Sequence, residues 1–248
     1  MQMPDRGFPL CEYEQRVSRL QKAMHQLHCD CVVLTTEPNV RYYSGFFTQF
    51  WQSPTRPWFL VIPIEGKPIA VIPEIGASGM AQTWVEDIRT WPSPQPADDG
   101  ISLLVGAIEE QPNRFGQTGM TLGPESSLRM PLNNFRRLEQ MSSSREIIDV
   151  ANEIHRLRMV KSALEIEKAK YICTLASHAF ENLPTQAAAG MTERQICKQM
   201  QLDLLARGAD SCSYMVAGSG KGGYDSIIMG PTDREIEAGD VLMIDTGS

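Results

Sequence analysis

Val241-Leu-Met-Ile-Asp245-Thr-Gly-Ser248 reads as an apolar strand that carries a single carboxylate to its end. A strand holds such a carboxylate rigidly and the turn after it opens space for an ion, so Asp245 is the chain's candidate metal ligand. The plain alternative is an Asx interaction that merely caps the turn. One carboxylate does not hold a catalytic metal by itself. The residues therefore lead us to expect the front part of a longer protein.

Upstream, Gly218-Ser-Gly-Lys-Gly-Gly223 reads as a flexible glycine-rich loop after a short strand at residues 214–217. A P-loop needs glycine where Met215 stands and Ser or Thr where Gly222 stands, so phosphate binding is disfavoured. Lys221 remains a candidate for orienting an anionic group. Ser219 lies outside a G-x-S-x-G elbow and no His or Asp partner is evident, which disfavours a serine hydrolase. Two helices precede this region. Ser162-Ala-Leu-Glu165 and Thr192-Glu-Arg-Gln195 both fit the capping box, in which a hydroxyl and a carboxyl or amide satisfy free backbone N–H groups reciprocally. Ala169, Ile172, Ala176, Ala179 and Leu183 form one apolar stripe of helical period, which the stretch Pro184 to Gly190 is expected to break, and Ile196, Met200 and Leu204 continue a second helix to Gly208.

The first part of the chain alternates helices and strands. Val17, Leu20, Met24 and Leu27 mark an amphipathic helix, and Val32-Val33-Leu34 a buried strand. Glu37-Pro38-Asn39 is expected to start a turn. Residues 59–63 and 68–72 form a hairpin around Glu65-Gly66-Lys67. A breaker-rich loop at 91–100 leads to a helix (102–110), a strand (118–122), a helix (132–140) and a strand near Ile147-Ile148. This pattern predicts an α/β layer domain over residues 1–154 and a second domain over 155–248.

Composition limits the partners. The chain of 248 residues is 42 % apolar and 21 % charged with a net charge of −7, as in a soluble globular protein. No basic run exceeds Arg136-Arg137, which excludes an electrostatic case for nucleic acid or anionic membranes. The N-terminus lacks the apolar core of a secretory signal, and the longest apolar run, 58–64, is too short for a membrane span. The six cysteines show no zinc-type double pair; Cys29 and Cys31 read as buried thiols. These features point to the cytoplasm. His25, His28, His155 and His178 form no ligand pair.

Three stretches carry a family resemblance. Tyr13-Glu-Gln-Arg16 with Pro38-Asn-Val-Arg-Tyr-Tyr-Ser-Gly-Phe46 resembles the N-terminal domain of the creatinase, prolidase and Xaa-Pro aminopeptidase group. Ile154-His-Arg-Leu-Arg-Met-Val-Lys-Ser162 with Glu165-Ile166 resembles the entry to that group's pita-bread catalytic domain. Gly239-Asp-Val-Leu-Met-Ile-Asp-Thr-Gly247 looks like the strand bearing its first metal carboxylate. The resemblance implies an α/β creatinase-type N-terminal domain followed by the first part of a pita-bread α+β domain.

It also implies two divalent metal ions, Mn, Co or Zn, held by two aspartates, a histidine and two glutamates. A bridging hydroxide would attack a peptide or small amide-like substrate in a homodimer. Two ions about 3.5–4 Å apart activate such a nucleophile and stabilise the oxyanion. Only Asp245 maps onto that set, and the other ligands would lie past Ser248, so the isolated chain is expected to be inactive. Peptidase members carry a substrate-contacting histidine within the stretch that here reads Gly222-Gly-Tyr-Asp-Ser-Ile-Ile-Met229. Tyr224, Asp225 and Ser226 are the polar residues left to contact substrate. The missing imidazole keeps two alternatives open: a creatinase-like non-peptidase acting on a small modified amino acid, and a non-catalytic dimerisation or binding module. By resemblance, the stretch around Trp51 and Arg56 lies near a neighbouring subunit's active site, and both are candidates for substrate gating.

Overall fold

The computed structural model describes residues 2–226 and 228–248, and Ile227 of the stretch above lies outside them. The chain divides into two compact units, Arg6–Val160 and Lys161–Ser248, the latter joined by the few residues before Arg6.

The first unit runs α1 (Leu10–Leu27), β1 (Cys31–Leu34), α2 (Glu37–Ser44), β2 (Phe59–Pro63), β3 (Ile69–Pro73), α3 (Ala77–Met80), β4 (Asp87–Trp91), α4 (Ile101–Glu109), β5 (Gln117–Met120), α5 (Leu132–Met141), β6 (Glu146–Asp149) and α6 (Ala151–Met159). The strands make one sheet of order β4-β3-β2-β1-β5-β6. The β1–β2 and β2–β3 pairs are antiparallel; β3–β4, β1–β5 and β5–β6 are parallel. Val32, Leu34, Leu60, Ile62 and Ile72 point to a layer with Leu20 and Met24 of α1, Tyr43 of α2 and Ile154 of α6. Cys31, Val33, Phe59, Val61 and Val71 alternate to the other face, against Leu104 and Ile108 of α4 and Leu138 of α5. A sheet covered on both faces needs continuous apolar strands, which is why Phe59-Leu-Val-Ile carries no polar residue.

Differences from expectation have local causes. The 37–39 stretch starts a helix rather than a turn, because Pro38 sits in the first helical turn, where its missing N–H has no intrahelical acceptor to lose. Strand β4 escapes pattern reading because its five residues, Asp-Ile-Arg-Thr-Trp, bury only Trp91. The helix that begins at Ala163 ends at Gln186, within the Pro184 to Gly190 stretch expected to break it.

Asp30 is fully buried at the head of β1. Its carboxylate accepts from the backbone N–H groups of Arg114 (3.0 Å), Phe115 (3.1 Å), Gly116 (2.9 Å) and Gln117 (3.3 Å). The equally buried Arg145 guanidinium stands 3.4 Å away and donates to the carbonyls of Gln111 and Pro112. Cys29 and Cys31 are buried beside it, and burial pushes their thiols up to about 12 and about 11, so neither is a reactive thiolate.

The second unit pairs α7 (Ala163–Gln186) with α8 (Glu193–Arg207), and β7 (Tyr214–Lys221) with β8 (Asp240–Gly247). Both expected capping boxes are present, at Ser162 and at Thr192. Leu175, Ala179, Cys197, Met200, Leu204, Met215 and Ala217 form its core.

All four tryptophans lie in the first unit, so their fluorescence reports on that unit alone. Replacing Asp30→Ala strands a buried Arg145 and four amides. It is expected to cost about 3–5 kcal/mol in urea unfolding followed by tryptophan emission.

Candidate functional site

Strands β7 and β8 pair antiparallel from Tyr214↔Gly247 to Lys221↔Asp240, with Val216 opposite Asp245. Asp245 is exposed, and its Oδ1 accepts a hydrogen bond of 3.1 Å from the Tyr214 hydroxyl. That bond and the carboxylate's charge raise the Tyr214 phenol above its ordinary value. The strand end is fastened beside it, where Ser213 N–H donates to the Gly247 carbonyl (2.8 Å) and Thr246 Oγ1 to that of Tyr214 (3.0 Å).

The glycine-rich segment differs from expectation. Gly218 to Lys221 is the second half of β7, in register with β8, and not a loop. Its glycines serve close approach: a Cβ on Gly220 would stand 2.5 Å from the Gly223 carbonyl oxygen, and one on Gly218 would stand 3.0 Å from that of Ser226. The returning chain thus lies along β7, and Ala217 N–H donates to the Met229 carbonyl (3.1 Å). This places Tyr224, Asp225 and Ser226 beside Gly218. Tyr224 and Asp225 are exposed and Ser226 half-buried, and no hydrogen bond between described residues joins the three to Asp245. Lys221 is exposed at the strand's end, opposite Asp240.

The sequence offers no direct signal for a buried, multiply hydrogen-bonded carboxylate in this unit. Glu193, the first residue of α8, is 3 % exposed. Its carboxylate accepts from Ser219 Oγ (2.6 Å), Thr232 Oγ1 (2.6 Å) and Thr232 N–H (2.9 Å). Arg234 Nη1 donates to Ser219 Oγ (2.8 Å) and to Asp240 Oδ2 (2.7 Å). Around them, backbone bonds tie the entry and first turn of α8 to the strap before β8: Gly190 N–H to Ile236, Glu193 N–H to Arg234 and Arg194 N–H to Thr232. Burial pushes Glu193 up, but the hydrogen bonds from Ser219 and Thr232 outweigh it and hold the carboxyl below its ordinary value. Arg234 holds Asp240 low in the same way. The available signal was the Thr192 capping box, which marked the turn that presents Glu193.

The gating candidates lie in the first unit. Trp51 is buried against Phe46 and Trp58, beneath the Arg129 guanidinium, which donates to the carbonyls of Trp51 and Arg56. It is a packing residue of that core. Arg56 takes a left-handed backbone (φ 59°) and donates to Ser93 Oγ at 2.9 Å.

The arrangement of an α/β domain ahead of an αα-ββ unit is one that known proteins share. Dipeptidase PepE from Mycobacterium ulcerans superposes with a TM-score of 0.77 at 24 % identity, covering 97 % of this chain and 62 % of its own. The prolidase from Pyrococcus horikoshii superposes at 0.74 and 22 % identity, covering 94 % and 60 %. At these identities the likeness speaks for the fold, which is the expected one. In sequence the chain is 25 % identical to the uncharacterized peptidase YqhT of Bacillus subtilis over 94 % of this chain and 61 % of that protein. The chain belongs to the creatinase/prolidase family: residues 16–160 match the Creatinase/Prolidase N-terminal domain and residues 167–248 match metallopeptidase family M24. It spans about 60 % of the length of these relatives.

A metallopeptidase family implies divalent ions. Among the described residues no group of three or more His, Cys, Asp or Glu side chains is placed to hold one. Asp245, with a tyrosine as its neighbour, is a single anionic donor, so the residues present do not by themselves fit a two-ion centre. No helix among the described residues is long and apolar enough to cross a membrane.

Two outcomes follow from this geometry. Glu193, ordinarily near 4.5 and held lower in the fold, stabilises the second unit above that value, and the contribution is lost as pH falls through the folded value. Hydrogen exchange of α8 and β7 amides should quicken along that acid limb, and Glu193→Gln should flatten it. Gly220→Ala forces the Gly223 carbonyl away, so residues 222–226 should show the largest chemical-shift changes in the second unit, at a cost of about 1–3 kcal/mol.

Proposed function

We propose that this chain supplies the N-terminal domain and the first metal-ligand strand of an Xaa-Pro dipeptidase-like hydrolase. The observation that carries the reading is the exposed carboxylate of Asp245, presented by β8 within the segment that matches metallopeptidase family M24. The Xaa-Pro dipeptidase of Pyrococcus horikoshii, 24 % identical over 94 % of this chain, supports the substrate class. In this reading Asp245 would help to hold two divalent ions, Mn, Co or Zn, which would supply water activation and charge stabilisation. Tyr214 holds the carboxylate through its hydrogen bond to Oδ1. The remaining ligands come from sequence beyond residue 248, and the working form is a cytoplasmic homodimer.

One observation favours a second substrate class. The stretch Gly222 to Met229 offers Tyr224, Asp225 and Ser226 where peptidase members carry an imidazole, and these groups suit a small amide-like or modified amino-acid substrate, as in creatinase.

The intact mass of the native protein from its source cells is the first measurement. A mass well above 27.7 kDa is expected. In that longer form, Mn-dependent hydrolysis of Xaa-Pro dipeptides should fall roughly a hundredfold or more on Asp245→Asn, since an ion that supplies several kcal/mol is lost. Hydrolysis of small amides but not Xaa-Pro dipeptides would select the second class. A native mass of 27.7 kDa with no hydrolysis would overturn the enzyme reading in favour of a binding module.

A further inference from the structure

The β7–β8 pair presents an unusual problem of register. Its strands are not joined by a tight turn, which ordinarily fixes register, but by the long connection 222–239. Burial fixes the face of only the first half of β7, where Met215 and Ala217 turn to the core. Every residue of β8 is exposed or half-buried, with Val241 at 47 %, and the second half of β7 is Gly-Ser-Gly-Lys. Glycine-rich strands without a strongly buried face slip readily, and a slip of one residue turns every side chain to the opposite face. In such a slipped pair Asp245 would leave Tyr214.

The side chains of Glu193, Ser219, Arg234 and Asp240 meet at the far end of this pair. Ser219 belongs to β7 and Asp240 to β8, and Arg234 grips both through one nitrogen (2.8 and 2.7 Å). Ser219 in turn donates to Glu193, which is anchored in the first turn of α8. The relay therefore runs from helix to β7 to strap to β8, and each link is specific to one position along its strand. The Asp240 side chain is covered although the residue as a whole is half-buried, and among the described residues its Oδ1 has no hydrogen-bond partner.

We propose that Glu193 and Asp240 are positioning residues that lock the β7–β8 register through Ser219 and Arg234, and so decide that Asp245 stands beside Tyr214. The lock itself is independent of the metal reading; its functional meaning rests on Asp245 being a ligand. Thr232, which gives Glu193 two further hydrogen bonds, fastens the strap to the same anchor. The device lies at one end of the pair and the carboxylate it orients at the other, because register is a property of the whole ladder.

Solution NMR of the 248-residue chain tests this directly. Cross-strand NOEs joining Val216 to Asp245 and Ser219 to Leu242 report the register, and the unaltered chain is expected to show both. In Glu193→Gln, and in Ser219→Ala, which keeps both carboxylates and removes only the bridging hydroxyl, the Val216–Asp245 NOE should be lost or joined by a shifted set. Amide exchange along β8 should quicken about tenfold or more, as expected when a buried charged hydrogen bond is removed, while α7 is unchanged. A merely stabilising network would lower the melting temperature and leave those NOEs in place. Retention of both NOEs with unchanged β8 exchange in folded Ser219→Ala overturns the proposal. Should Glu193→Gln fail to fold, the Ser219→Ala result decides alone. Neither readout involves metal or substrate, so a failed peptidase assay and a failed lock are separate results.

Discussion

A buried carboxylate that gathers donors from distant parts of the chain is the constraint on which both units depend. In the first unit it is Asp30. Parallel strands β1 and β5 are joined by no hairpin, so a turn cannot set their pairing, and the sequence between them runs through three other strands. Asp30 receives four successive N–H groups of the approach to β5 and the guanidinium of Arg145, which comes from the approach to β6. The three strands are thereby brought to a common starting line. Taking a carboxylate out of water is costly, and the cost is offset because both oxygens accept several hydrogen bonds and a guanidinium stands beside them.

The second unit solves the same problem with Glu193. There too the strands are separated by a long connection, and a buried acid at a helix N-terminus collects hydroxyl and amide donors from β7 and from that connection. Its position is electrostatically favourable, since the N-terminus of a helix carries partial positive charge. The glycines at 218 and 220 belong to the same design. They let the returning segment lie flat against β7, which keeps residues 224–226 next to the strand pair that presents Asp245.

Much of this was legible in the residues. The two capping boxes, the apolar runs of β1, β2 and β3 and the helical stripes of α1, α7 and α8 each rest on local physics that a short window contains. The family could be read as well, since its motifs are contiguous stretches. Strand β4 was not legible, because an edge strand with one buried residue has no alternation to detect. The Gly218–Lys221 segment was misread for a related reason. Glycine signals freedom in isolation, whereas here it marks the close passage of another stretch of backbone.

The sequence by itself determined the class of fold, the domain order and the one carboxylate offered at the end of β8, because periodicity, caps and short motifs are encoded between near neighbours. Only the tertiary structure decided what surrounds that carboxylate. Tyr214 reaches Asp245 across a strand pair, and Glu193 reaches Ser219, Thr232 and, through Ser219, Arg234 from a different element of the chain. Such contacts join residues far apart in sequence, and neither spacing nor composition specifies them. They exist because the register of one strand pair and the position of one helix N-terminus were fixed together.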